Sequence, residues 1–425
     1  MIKVLGNSWA LLLGMMLLQV GNGLQGTLLG VRGQLEGFST FSMSIVMSCY
    51  FVGFLFGSRM APEMIRRVGH VRVFAALGSL ISAVLILYPV ATHPIAWMAG
   101  RVVIGFCFSG VYVTAESWLN NAATNETRGQ SLSLYMIVQM AGIVSAQGIM
   151  VLADPSGFVL FITSSVLVSI AFAPILLSIS PTPAFETTKP MSLLEILRIS
   201  PLGCVGMFLL GGVFSAQFGM APVFGAEAGM SVGQISAFVS TFFIGALVLQ
   251  YPVGWMSDRM DRRVLILASA VIGGVGALLG FVLSGYFVML LVAGLMIGGV
   301  SNPLYALLIA YTNDFLEFDD MAAASGGMVF INGLGAVTGP LVTGWVMGQI
   351  GPRGFFLFIA VLLLAMAGYA AYRMTQRAAP AVEDTDSYAP VGLGATPMAV
   401  EFAQEYAIET AQEEAALEEE SKAAL

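Results

Sequence analysis

Charge is what this sequence has least of. Of its 425 residues only 10% are Asp, Glu, Lys or Arg, against about 25% in ordinary soluble domains. Cysteine is also scarce: Cys49, Cys107 and Cys204 all fall inside apolar segments, which excludes a disulfide framework and makes them small packing residues. The two histidines, His70 and His93, lie in separate loops and form no metal set. The glycine-rich stretch GGVGALLG at 273–280 lacks the lysine of a phosphate-binding loop and reads as close helix packing. With no clustered nucleophile, base and orienting group, neither an enzyme nor a cofactor is expected, and no nucleic-acid partner.

What the chain has instead is apolar length. Hydrophobic residues make up 57%, and mean hydropathy is +0.87. No soluble core absorbs that much apolar surface, whereas a bilayer accepts it as helices of ~20 residues. Apolar runs of that length occur at 8–31, 42–61, 73–92, 95–117, 131–152, 157–179, 202–224, 234–256, 264–284, 286–312, 323–348 and 354–374. The sequence therefore predicts an all-α membrane protein of twelve spans. The first run follows Lys3 but is too long for the core of a signal peptide.

The formal charge of −8 is unevenly placed. Residues 378–425 hold eleven acids and one lysine, leaving sixteen basic and fourteen acidic residues in the rest of the chain. With an inner N-terminus, Lys3, Arg59, Arg66, Arg67, Arg72, Arg128, Lys189, Arg198, Arg259, Arg262, Arg263, Arg373, Arg377 and Lys422 collect on one side and only Arg32 and Arg353 on the other. That asymmetry predicts a multi-pass inner-membrane protein with both termini in the cytoplasm.

The Pro-containing stretch SPTPAFETTKPMSLLEILRISP separates six spans from six. PEMIRRVGHVRV from Pro62 and GWMSDRMDRRVL from Gly254 occupy matching places in the two sets, as do AGRVVIG at Ala99 and AGLMIGG at Ala293. The expected organisation is a six-helix bundle at 1–180, a linker at 181–201, a second bundle at 202–377 and a disordered acidic tail at 378–425. Parallel six-helix repeats are a transporter architecture with its site near mid-membrane between the halves.

These residues resemble the major facilitator superfamily. Gly254, Asp258, Arg259, Arg262 and Arg263 are similar to its signature loop G-x-x-x-D-R-x-x-R-R, and Arg101 with Gly105 is similar to the R-x-x-x-G of the fourth helix. Gly335, Gly339, Pro340 and Gly344 resemble the packing pattern of the eleventh helix, and the run from GRVVIGF through ESWLNNAATNETRGQSLSLYMIVQMAG is similar to the YcaD-like branch. The resemblance implies secondary or facilitative transport by alternating access. In the first half Pro62 and Arg66 stand where the family carries glycine and aspartate, and QMAGIVSAQG lacks the proline of drug antiporters. Multidrug efflux by proton antiport is thus one alternative, and a non-transporting receptor or assembly protein acting through its tail another.

Ionisable groups at membrane depth cost about 3 kcal/mol each on insertion scales, so each one marks a candidate site. Arg101 lies in the outer third of the fourth span, either as a structural charge or as a cavity residue. Glu116 follows fifteen residues later, ~22 Å along a helix. It reads as a gate carboxylate pairing with Arg66, Arg67 or Arg128, or as a proton carrier. Asp258, Arg259 and Arg263 complete the gating set, facing the acidic turn of Asp314, Glu317, Asp319 and Asp320. For the solute the candidates are Gln19, Asn22 with Gln25, Arg101, Tyr135, Gln139, Gln217, Asn302, Tyr305 and Asn332. A lining of amides and tyrosines suits a small, neutral or weakly charged organic molecule carried by a monomer, with protons as partner where Glu116 couples.

Overall fold

A computed structural model describes residues 2–123, 127–177, 191–377, 388–389, 391–392 and 394–406, with the backbone alone for residues 2–7, 122, 175–177, 318–319 and 322. The described residues form helices and connecting turns. Six helices make the first half: α1 Ile2–Leu35, α2 Thr40–Val68, α3 His70–Leu87, α4 Pro94–Ala122, α5 Arg128–Met150 and α6 Val159–Leu177. After the short α7 Leu193–Ile199 come α8 Pro201–Ser215 with α9 Ala221–Glu227, α10 Val232–Ser257, α11 Arg262–Val282, α12 Phe287–Asn313, α13 Phe318–Ile350 and α14 Gly354–Gln376. A last helix, α15, covers 397–406.

Among the described residues eleven segments are long and apolar enough to cross a membrane, one of them the continuous α8–α9 stretch Pro201–Glu227. The shorter apolar α6 completes the expected twelve in sequence order. Local chemistry fixes the ends. The Ser39 hydroxyl accepts from the Ser42 N–H at 3.1 Å to start α2, and Ser231 with Gln234 forms a reciprocal cap on α10, each satisfying N–H groups that a helix start leaves unpaired. Gly69, at φ +85°, is the sole residue between α2 and α3, a backbone state that favours glycine. Between α8 and α9 lies a π-helical turn, Ala216–Met220. Pro222 follows within its next turn and has no N–H to give the ladder.

Helix association inside a membrane depends on close packing rather than on expulsion from water, and the glycines supply it. A Cβ on Gly105 would stand 1.9 Å from the Tyr50 carbonyl oxygen, and one on Gly53 1.9 Å from that of Val102, so α2 and α4 touch backbone to backbone. The second half repeats the device: a Cβ on Gly298 would lie 2.1 Å from the Phe242 carbonyl and one on Gly245 2.4 Å from that of Leu295, joining α10 to α12. These glycines belong to the AGRVVIG and AGLMIGG repeats or face them.

The halves meet mainly through α2 against α13, α5 against α10, and α1 against α9. On the distal face, where α1 ends and α2 begins, Thr40 hydrogen-bonds Glu227 and a Cβ on Gly30 would sit 2.6 Å from that of Pro222. On the terminal face, where α1 begins and α14 ends, the described residues 388–389, 391–392 and 394–406 enter between the halves. Val400, Phe402 and Ala403 are each no more than 1% exposed. The described part of the tail is therefore not the disordered extension its composition suggests, because its apolar side chains find a dry seat. Residues 407–425, which hold the remaining acidic stretch, lie outside the described residues.

Candidate functional site

Between the halves lies a central space. Six of its walls are amides: Gln19 and Asn22 from α1, Gln139 from α5, Gln217 from the π turn, Asn302 from α12 and Asn332 from α13. Eight further lining residues are aromatic, with Tyr50, Phe51 and Phe54 on α2 facing Phe214 and Phe218, and the rest are small or aliphatic apart from Ser58. None of the described lining residues carries a formal charge. The π turn places Gln217 here, since the extra residue in a turn rotates the following side chains relative to a regular helix, a feature often found at functional sites.

The amides on the first half are ordered by a continuous relay. Arg101 Nη1 donates to Gln25 Oε1 at 3.0 Å, and Gln25 Nε2 donates to Asn22 Oδ1 at 3.1 Å. Asn22 Nδ2 then donates to Tyr112 OH at 2.9 Å. Tyr112 OH donates to Gln19 Oε1 at 2.7 Å, and Gln19 Nε2 reaches Gln139 Oε1 at 3.1 Å. Each group in the series passes one hydrogen bond to the next, which sets the orientation of Gln25, Asn22 and Gln19, and hydrogen bonds in such series reinforce one another.

Arg101 heads this relay from behind the wall. It is fully buried, its guanidinium carbon 4.5 Å from the Tyr50 ring centre, and it does not line the space. The placement corrects the expectation of direct solute contact: Tyr50 stands between. Its Nε has no partner among the described residues, and the positive charge is offset by the Tyr50 ring rather than by an acid, a cation–π contact favoured where water is absent.

On the second half, Gln217 Nε2 donates to Ser301 Oγ at 2.7 Å and Asn332 Nδ2 to the Met207 carbonyl at 3.0 Å. Asn302 Nδ2 donates to Gln250 Oε1 at 2.9 Å. Tyr305 does not line the space. Three residues after Asn302 it points about 60° away around the helix and is wholly buried.

Tyr135 belongs to a second, smaller space that shares Gln139 and Met140 with the first and runs to Glu116. Glu116, 1% exposed, accepts from Tyr135 OH at 3.0 Å and from the Thr396 hydroxyl. The backbone N–H groups of Thr396 and Ala399 also reach it, so the carboxylate sits at the N-terminus of α15, where unpaired N–H groups and the helix dipole favour an anion.

The expected basic partners of Glu116 are used elsewhere. Arg66 and Arg67 both bind Glu63, at 2.8 and 2.6 Å, on the exposed end of their own helix, where sequence neighbours three and four apart meet first. Arg128 pairs with Glu405 of the tail. Asp258 accepts the Tyr388 N–H at 2.8 Å, and burial raises its carboxyl above the usual range. Arg259 lies over Trp255 of the preceding α10 turn and donates to its carbonyl at 3.0 Å, with no gate contact among the described residues. Arg263 bonds Asp261 at 2.7 Å and the Arg377 carbonyl at 2.6 Å, tying α11 to the end of α14. The buried bridge at this face is Arg262 with Asp314.

Tyr50, Tyr112 and Ser58, which line the space, and Gln250, which accepts from Asn302, are polar residues that sequence reasoning missed. The first two follow apolar stretches of α2 and α4 and carried no signal beyond a tyrosine in a span; Gln250 was a mid-span amide of the kind used to choose the others.

Comparison with known proteins is consistent along the chain. A sequence profile described as Major Facilitator Superfamily matches residues 11–231 and 203–400. An MFS-type transporter YcaD of Salmonella arizonae is 25% identical over 362 residues, covering 82% of this chain and 91% of that protein. An MFS-type transporter of Enterobacter sp. strain 638 is 25% identical over 372 residues, covering 84% and 95%. The crystal structure of the nucleoside transporter NupG shares the fold, with a TM-score of 0.71, 16% identity, and coverage of 86% of this chain and 99% of that one.

Proposed function

Because this chain belongs to the major facilitator superfamily and serves membrane transport, we propose that it carries a small, neutral, polar organic solute with a planar ring, through the amide and aromatic space between its halves. The observation that carries the reading is the lining itself: six amides and several aromatic rings, with no charge among the described walls. Amides supply matched donors and acceptors to a polar edge, while rings stack on a planar face. An anionic solute would call for a lining cation, and Arg101 lies behind Tyr50. The nucleoside transporter among the structural relatives supports a solute of this size and polarity.

In this reading the terminal face is cytoplasmic, the membrane is the inner one and the monomer is the working unit, with support from the asymmetry of Lys and Arg. Alternating access moves the solute by rocking 1–180 against 202–377, and the solute must bind the two states with different affinity for the gradient to do work. The described conformation has the distal face joined by Thr40–Glu227. Glu116 acts at the gate and, lining the second space, is the carboxylate placed to take up a proton if transport is coupled.

The test is thermal stability of the purified protein against a panel of neutral nucleosides, sugars and amino acids beside their phosphorylated analogues. A neutral planar solute should raise the melting temperature of the wild type. Gln139→Ala or Gln217→Ala should weaken its binding about tenfold, the equivalent of one lost hydrogen bond to a polar partner. Stabilisation by the anionic analogues alone would overturn the solute class.

A further inference from the structure

The tail joins both halves at the terminal face, and its contacts are specific. With the first half, Thr396 and the start of α15 hold Glu116, and Glu405 pairs with Arg128, whose guanidinium also lies 5.7 Å from the Phe402 ring centre. With the second half, Gln250 donates to Tyr388 OH at 2.8 Å and Asp258 accepts the Tyr388 N–H. Gln404 accepts from Ser325 Oγ at 2.6 Å and donates to Asn313 Oδ1 at 3.2 Å. Between these anchors Gly392, Gly394 and Ala395 form part of the wall of the central space, and Val391, Gly392, Ala395 and Ala399 form one side of the passage to Glu116.

We propose that residues 388–406 are an autoinhibitory plug, which seals the central space at the terminal face and must leave before the halves can rock. A segment fastened to α4 and α5 on one side and to α10, α12 and α13 on the other holds the separation of the halves at its present value. Small residues at 392, 394 and 395 let the backbone pass close to the solute space without filling it. Glu116 is the docking point: while the plug is seated the carboxylate is covered by α15, and when the plug leaves it is uncovered to the terminal face. The inhibitory role rests on the transport reading above; the occlusion does not.

Accessibility measures the occlusion without any solute. In a background with Cys49→Ala, Cys107→Ala and Cys204→Ala, Ala246→Cys places one thiol on the wall of the central space, where Ala246 is 5% exposed. A membrane-impermeant maleimide is applied to the purified full chain, to a chain ending at Arg377, and to the full chain with Glu405→Lys. Removing the plug should speed labelling by about tenfold or more, as expected when a population shifts from mostly closed to mostly open, and Glu405→Lys should fall between. A synthetic peptide of residues 388–406 should slow labelling of the shortened chain again. Equal rates in all three chains would overturn the proposal.

If the shortened chain does not fold, Gln404→Cys with Asn313→Cys in the same background replaces it. Oxidation should then join the two positions and suppress labelling at 246 in a reductant-reversible way, whereas failure to join them sinks the plug. Once a solute is known, the shortened chain should carry it faster than the full chain. No solute stabilising or crossing would refute the transport reading while leaving the labelling result standing.

Discussion

Asp258 shows how a single side chain can be chosen for geometry against its own charge. Burial raises its carboxyl above the ordinary range, with the Tyr388 N–H and then the Arg262 and Arg259 charges opposing part of that effect. A carboxyl raised in the folded state favours folding below its unfolded pKa, and that advantage is lost as pH climbs through the folded value. Asparagine keeps an oxygen to accept from Tyr388 and carries no charge to bury. Asp258→Asn should therefore flatten the pH dependence of the melting temperature in the acid range and leave it no lower at neutral pH; a clear drop at neutral pH would show that the charge itself is needed. At this scale the sequence told much about identity and little about direction. Gln19, Asn22, Gln139, Gln217, Asn302 and Asn332 were legible because an amide at membrane depth needs a partner. Arg101 and Tyr305 were misplaced because the rotation of a side chain around its helix axis depends on neighbours that a single span does not name.

Among elements, the crossings of α2 with α4 and of α10 with α12 carry the same prediction in both halves. At Gly105 or Gly298 a methyl group would need to enter space held by a backbone carbonyl, at 1.9 and 2.1 Å, and backbone cannot rotate aside as a side chain does. Gly298→Ala should cost about 3 kcal/mol or more and lower the detergent melting temperature. Gly148→Ala, with nothing within 4 Å of its added Cβ, should be neutral or stabilising by up to about 1 kcal/mol, since alanine is the better helix former. Equal effects at the two sites would remove the close-crossing argument. The repeats AGRVVIG and AGLMIGG marked matching places in the two halves but did not name the helices that cross there. The π turn at Ala216–Met220 and α15 were not visible in advance. The first depends on how α8 packs beside α13, and the second runs directly into the Glu- and Ala-rich end of the sequence, a composition shared with disordered chains.

For the whole molecule the open question is which face is joined, and this is where sequence says least, since one sequence must stabilise two arrangements within a few kcal/mol of each other. The described arrangement joins the distal face through α1 with α9 and through Thr40 with Glu227, while the terminal face is held by the tail wedge. These two seals make separate predictions. With Thr40→Cys and Glu227→Cys in the cysteine-free background, a short bifunctional thiol reagent should link α2 to α9 and abolish solute flux, because rocking must part them. The same link should leave the thiol at position 246 as reactive as before in the chain ending at Arg377, because access from the terminal face requires only that the tail be absent. Flux that survives the link would mean that these helix ends stay together through the cycle, and the distal contact would then belong to the scaffold rather than to the gate. Labelling that falls after the link would mean instead that the reagent reaches position 246 from the distal side, which would place the working entrance opposite to the tail.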